Sequence, residues 1–105
     1  MSVKKIANIN EFQNLLKRET NVIVKYSTSW CGPCRVIAPY YHECANKFNG
    51  KIVFIEVDVG ESTEIAEMCH ISGVPTFQAF QQGIMVDEFS GVFKEKLNMM
   101  ISILI

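Results

Sequence analysis

Two short apolar runs, each broken by a single charge, constrain this chain more than any other feature. They are Val22-Ile23-Val24-Lys25-Tyr26 and Ile52-Val53-Phe54-Ile55-Glu56-Val57. Both are rich in β-branched and aromatic residues, which suit a pleated surface covered on both sides. Between them, Cys34, Ile37, Ala38, Tyr41, Cys44, Ala45 and Phe48 recur at spacings of three and four. Residues so spaced share one face of a helix. Two apolar strands separated by a helix predict a parallel βαβ core with helices on both faces. Pro39 lies inside the helical pattern and is expected to kink it, since it removes an N–H donor. Gly50 fits the helix end.

The flanking segments extend this core. Val3 to Ala7 reads as a short edge strand. Asn8 suits a helix N-cap, with Glu11 three residues on as in a capping box, and Phe12, Leu15 and Leu16 supply an apolar stripe. Ser62 to Met68 suggests a short helix. Thr76–Phe80 and Met85–Phe89 read as strands joined by Gln81-Gln82-Gly83, a short hairpin connection containing glycine. From about Lys94 a last helix follows, with Leu97, Met100, Ile101 and Leu104 on one stripe. The predicted order is βαβαβαββα, an α/β chain with a mixed sheet.

Length and charge narrow the function classes. The 105 residues are expected to form one domain, spanning 1–105. Hydrophobic residues make up 49% and charged residues 20%, a globular composition. With a net charge of −1 and no run of Lys or Arg, no general attraction to nucleic acid or anionic lipid is expected. No apolar run approaches the ~20 residues that span a bilayer, so no membrane association is expected. The first ten residues show neither a long apolar stretch nor a small-residue cleavage site and read as mature structure. Of the four cysteines, two lie in one CxxC and two, Cys44 and Cys69, stand far apart. That spacing argues against a secreted disulfide framework and for a reducing, cytoplasmic setting.

The chemistry concentrates in Trp30-Cys31-Gly32-Pro33-Cys34, between the first apolar strand and the long helix. A cysteine at a helix start faces free backbone N–H groups and the positive end of the helix dipole, which stabilise a thiolate. The thiolate is the nucleophile. Cys34, one turn on, is close enough to attack a mixed disulfide formed by Cys31. Gly32 and Pro33 set the turn, and proline in a first helical turn gives up a donor that has no partner there. Metal binding is the competing reading. Zinc usually needs four ligands, there is no second CxxC, and Cys44 falls on the core face of the helix, so no metal is expected.

WCGPC in this setting resembles the thioredoxin family. The resemblance covers essentially the whole chain: beyond the motif it includes Pro39, Val57-Asp58 at a strand end, Gly73-Val74-Pro75-Thr76, Gly83 and Phe89-Ser90-Gly91. It implies the thioredoxin fold, a mixed central β-sheet with helices on both faces. It implies that Cys31 is the attacking and Cys34 the resolving cysteine of a redox-active disulfide. It also implies a cis Val74–Pro75 bond facing the dithiol, with backbone at Val74 free to pair with an extended substrate. Trp30, Gly32, Pro33, Val74, Pro75 and Gly91 would form the substrate contact surface.

The family usually carries a buried Asp six residues before the first cysteine. Here that residue is Lys25. At the position of Glu56, bacterial relatives often carry Lys, so the two signs look exchanged. Three readings stay open: Lys25 snorkels to solvent; Lys25 and Glu56 pair, with Glu56 or a water handling the Cys34 proton; or Lys25 favours the thiolates and eases reduction of the disulfide. The second and third together are favoured. Cys69 corresponds to a regulatory cysteine of some animal thioredoxins, but Ser62 and Thr63 stand where its partner would be. No second disulfide is expected, and Cys69 is either an accessible thiol or a small core residue. His42 and His70 read as surface residues.

The resemblance implies a protein-disulfide reductase that serves cell redox homeostasis and electron transport. Its clients would be of the peroxiredoxin and ribonucleotide reductase type. An NADPH- and FAD-dependent thioredoxin reductase would recharge it. It needs no bound cofactor, because the dithiol carries the electrons, and a monomer is expected. The alternative is a binding or regulatory module with weak redox activity, which Lys25 keeps open. Within the family resembled, Gly32-Pro33 implies a reductant, since its oxidants tend to carry other dipeptides between the cysteines.

Overall fold

The computed structural model describes residues 3–105. Its elements are β1 (Val3–Lys5), α1 (Ile9–Arg18), β2 (Asn21–Ser27), α2 (Gly32–Lys47), β3 (Val53–Asp58), α3 (Thr63–Met68), β4 (Thr76–Gln81), β5 (Ile84–Ser90) and α4 (Lys94–Leu104). The five strands form one sheet in the order β1-β3-β2-β4-β5. β3 runs parallel to both β1 and β2, while β4 is antiparallel to β2 and β5 to β4. This is the predicted mixed sheet, with the two apolar runs at its centre.

Side-chain alternation along the strands divides the core in two. On one face Ile23, Phe54, Phe77 and Ala79 pack against Ile37, Tyr41, Cys44 and Ala45 of α2 and Leu97, Met100, Ile101 and Leu104 of α4. On the other, Val22, Val24, Tyr26, Ile55 and Val57 meet Phe12 and Leu15 of α1 and Ile65 of α3. Local signals account for the element ends. Asn8 caps α1 by accepting a hydrogen bond from the Glu11 N–H at 3.0 Å. α2 runs unbroken from Gly32 to Lys47 through Pro39.

The hairpin turn is tighter than the sequence suggests. Gln81 belongs to β4, leaving Gln82 and Gly83 as a two-residue connection, with φ of 53° and 81°. Positive φ at both central positions matches the twist of the flanking strands. A glycine ordinarily fills such a site, and Gln82 holds one through a backbone bond from its N–H to the Thr20 carbonyl at 2.8 Å.

Candidate active site

β2 ends at Ser27 and the chain reaches α2 within a few residues, so Cys31 becomes the N-cap of that helix (φ −86°, ψ 111°). Its Sγ accepts a hydrogen bond from the Cys34 N–H at 3.1 Å. A sulfur in this position takes the place of the side-chain oxygen that normally caps a helix, and negative charge on it meets the helix dipole favourably. Gly32 and Pro33 occupy the first helical positions. Cys31 and Cys34 are joined as a disulfide, with Cα atoms 5.3 Å apart.

The surroundings are partly open. Cys34 is buried and Cys31 nearly so, whereas Trp30 is 77% exposed. The tip of the Trp30 ring leans on the loop after β3, where a methyl group added at Gly60 would lie 3.7 Å from its Cη2. The Val74–Pro75 peptide is cis. Thr76 pairs with Tyr26 near the end of β2 and with Ser90 at the end of β5, which brings the Pro75 loop to the end of the sheet that carries Cys31. The Gly91 N–H donates to the Pro75 carbonyl at 2.9 Å and Gly91 has φ +104°, so the two loops are tied. Trp30, Gly32, Pro33, Val74, Pro75 and Gly91 therefore gather at one end of the sheet.

Beneath the first turn of α2 lies an ion pair. Lys25 is opposite Glu56 in the β2–β3 register. Its Nζ stands 3.4 Å from Glu56 Oε2, and the two side chains are 2% and 19% exposed. The same ammonium donates to the Cys34 carbonyl at 3.2 Å and faces the Tyr41 ring at 5.8 Å from its centroid. Lys25 does not snorkel: its own end is sealed, and the pair is satisfied internally. Burial pushes its ammonium below the usual lysine range, and the Glu56 carboxylate opposes that shift. The Ser27 hydroxyl donates to Glu56 Oε2 at 2.9 Å. Glu56 also borders a surface recess of about 270 Å³ with Lys5, Ser27, Asp58 and Glu61, so water reaches it from that side.

Ser27 was not singled out by sequence reasoning, although its place two residues after Lys25 puts it on the same strand face. A second buried network was missed as well. The Tyr26 hydroxyl donates to Gln78 Oε1 at 2.8 Å, and Gln78 Nε2 reaches Glu88 Oε2 at 2.8 Å and the Cys69 carbonyl at 3.3 Å. Cys69 is half-buried. Burial pushes its thiol up, a hydrogen bond with Tyr26 counters that, and the Glu88 carboxylate reinforces it. Cys44 is buried in the α2–α4 core, as its helical spacing predicts. His42 and His70 are exposed.

A cysteine pair that closes a disulfide across the first turn of a helix, with one sulfur on the helix N-terminus, is the working centre of a thiol–disulfide oxidoreductase. The comparisons with known proteins agree. Residues 3–103 match the sequence model of the thioredoxin family. Rabbit (Oryctolagus cuniculus) thioredoxin is 46% identical over 97 residues, covering 90% of this chain and 91% of the relative. The solved thioredoxin of Plasmodium falciparum superposes with a TM-score of 0.92 at 36% identity, covering 97% of this chain and 99% of that one. A structure from work on the thiol-resolving mechanism of the yeast mitochondrial 1-Cys peroxiredoxin, via glutathione and thioredoxin systems, has the same TM-score at 28% identity; it covers 98% of this chain and 96% of that one. The chain belongs to the thioredoxin family. It is a thiol–disulfide oxidoreductase whose clients are disulfide-containing proteins, and the reading as a mere binding module is not favoured.

Proposed function

We propose that this protein works as a general reductant of protein disulfides, with Cys31 attacking and Cys34 resolving. The observation that carries the reading is the position of Cys31 Sγ at the N-terminus of α2, where it accepts the Cys34 N–H. In the reduced protein the Cys31 thiolate attacks one sulfur of a client disulfide, and the other leaves as a thiolate. Cys34 then loses its proton and attacks Cys31 Sγ. The second client sulfur leaves as a thiolate, and the Cys31–Cys34 bond closes. Two electrons pass to the client, and its two thiolates take up protons from water.

Trp30, Gly32, Pro33, Val74, Pro75 and Gly91 form the contact surface in this reading, the Val74 backbone pairing with an extended client segment. Lys25 and Glu56 tune the step at Cys34. The ammonium favours negative charge around the first turn of α2. Glu56, open to its recess and held by Ser27, accepts the Cys34 proton through water. A sealed ammonium that already donates to two acceptors has no lone pair with which to do so.

The partners in this reading are those that membership of the family implies. An NADPH- and FAD-dependent thioredoxin reductase returns the dithiol, and peroxiredoxins and ribonucleotide reductase are the client types; the likeness to the structure from the yeast peroxiredoxin work supports the first. Residues 1–105 act as one domain, a monomer in the cytoplasm, carrying electrons within cell redox homeostasis. Sedimentation as a dimer, or fractionation with an organelle, would count against those last two points.

The deciding experiment is reduction of insulin disulfides, driven by a dithiol or by thioredoxin reductase with NADPH, beside a Cys31→Ser control. Turnover in the parent and none in the control is expected. No turnover in the parent sinks the proposal. A reduction potential far above roughly −270 mV, a value belonging to thioredoxins generally and not obtained from this chain, would make the protein an oxidant instead.

A further inference from the structure

The start of α4 breaks a local rule. The residue before a helix satisfies first-turn N–H groups best when it is Ser, Thr, Asp or Asn. Phe93 holds that position here in extended backbone (φ −135°, ψ 97°), and its side chain makes no capping hydrogen bond. Phe93 is also 46% exposed. An uncapped helix and a solvated ring both cost stability, and departures of this kind gather at functional sites.

The neighbours of Phe93 place it beside the redox centre. Its ring lies directly on Gly91, where a methyl group would come within 2.6 Å of Cε2. Gly91 is the residue tied to Pro75, at the end of the sheet that carries Cys31. Lys96 Nζ stands 4.4 Å from the ring centroid, and Lys94 Nζ lies 5.1 Å from the centroid of the Tyr40 ring. In the first turn of α4 the two lysines outnumber Glu95. The half-exposed ring thus carries the Lys96 ammonium over it and adjoins the loops at Pro75 and Gly91.

We propose that Phe93 and Lys96 select clients: they take an extended segment in which an apolar or aromatic side chain stands next to an acidic one, close to the disulfide being reduced. The inference rests on the reductase reading and adds which disulfides are preferred. The apolar side chain stacks on the part of the ring left open to solvent. The carboxylate meets the Lys96 ammonium at the surface, so this part of the preference weakens as salt rises.

The test uses three disulfide-linked peptides of equal length, with Phe-Glu, Phe-Lys or Ser-Lys beside the cystine, and the dithiol-driven assay. The parent is expected to favour Phe-Glu over Ser-Lys roughly tenfold in kcat/KM, the scale on which one apolar contact discriminates. Phe93→Ser should cut that preference to about threefold or less through KM. It should also raise Tm by a few degrees, because serine restores the cap. A residue kept only for packing would not raise stability and KM together when replaced. Lys96→Glu, a surface change that carries the test should the serine variant not fold, should shift the preference from Phe-Glu to Phe-Lys. An active parent without preference, or variants that keep the parent's preference, would overturn the inference. Failure to reduce any peptide, insulin included, would instead remove the reductase reading beneath it.

Discussion

Lys25 and Glu56 face each other across the parallel register of β2 and β3, and their charged ends meet 3.4 Å apart beneath the first turn of α2. The ammonium also holds the carbonyl of Cys34, so the ion pair is part of the frame of the redox turn. A buried lysine is tolerable only when its proton donors are used, and here a carboxylate, a carbonyl and an aromatic face use them.

Breaking this pair on one side should cost more than removing both charges. Lys25→Met leaves Glu56 without its cation and is expected to lower stability by about 1–3 kcal/mol; the partial exposure of Glu56 keeps the loss below that of a fully sealed pair. Lys25→Met combined with Glu56→Gln should recover part of that loss. Urea unfolding of the single and double variants measures the coupling, expected at about 0.5–3 kcal/mol. Strict additivity would mean that the two side chains do not interact.

The same lysine should govern thiol chemistry. Without the cation, thiolate charge near the α2 N-terminus loses support, so in Lys25→Met the titration of the reduced cysteines should move to higher pH by about one unit. Insulin reduction near neutral pH should slow with it. Thiolate absorbance against pH in the reduced protein reads the shift directly; Lys25→Asp, which reverses the sign, should move it further in the same direction. Unchanged titration and rate in both variants would leave Lys25 a packing residue only.

Cys69 should be a poor nucleophile despite its place just before the Pro75 loop. Burial and the Glu88 carboxylate both disfavour its thiolate, and reactivity follows the thiolate. At neutral pH, alkylation of the reduced protein followed by peptide mapping should find Cys69 modified at least about tenfold more slowly than Cys31. Gln78→Leu, which removes the acceptor of the Tyr26 hydroxyl, should destabilise by about 1–3 kcal/mol and speed labelling of Cys69.

Stability should fall at alkaline pH. Tyr26, Tyr41, Cys44 and Cys69 all have pKa values raised chiefly by burial. Above the ordinary Cys and Tyr values of about 8.5 and 10, these groups ionise in the unfolded chain before they do in the folded one. The unfolded state then binds fewer protons, and unfolding becomes easier as pH rises. Lys25 acts the other way. Its lowered pKa means that the unfolded chain binds the extra proton below the ordinary lysine value, so its contribution improves with pH in that window. Chemical denaturation between pH 7 and 10.5 should show a net decline, steeper in Lys25→Met. A rise in stability over that range would contradict the burial of these groups.

Much of the site is legible in the sequence. Trp30-Cys31-Gly32-Pro33-Cys34 between a β-branched run and a helical repeat placed a nucleophile on a helix terminus, because strand, turn and cap signals are all local. Cys44 as core followed from helical spacing alone. The hairpin differed by one residue because a turn that admits positive φ at a glutamine depends on strand twist and on a backbone bond to Thr20, neither of which composition records.

What the sequence by itself determined is the set of elements, their order and the identity of the redox pair, since each depends on residues within a few positions of one another. The tertiary structure alone decided how the charges were disposed. Whether Lys25 reached water or Glu56 depended on which strand lay beside β2, in what register, and on the α2 turn that covers it. The link between Tyr26, Gln78, Glu88 and Cys69 likewise spans β2, β4, β5 and the end of α3. The seating of Phe93 on Gly91 beside the Pro75 loop depends on where β4 begins and β5 ends. These contacts join residues distant in the chain, and their energies depend on burial, which no local pattern fixes. The cysteines at position 31 and 34 could be read from the sequence; the lysine that supports them from below had to be located in space.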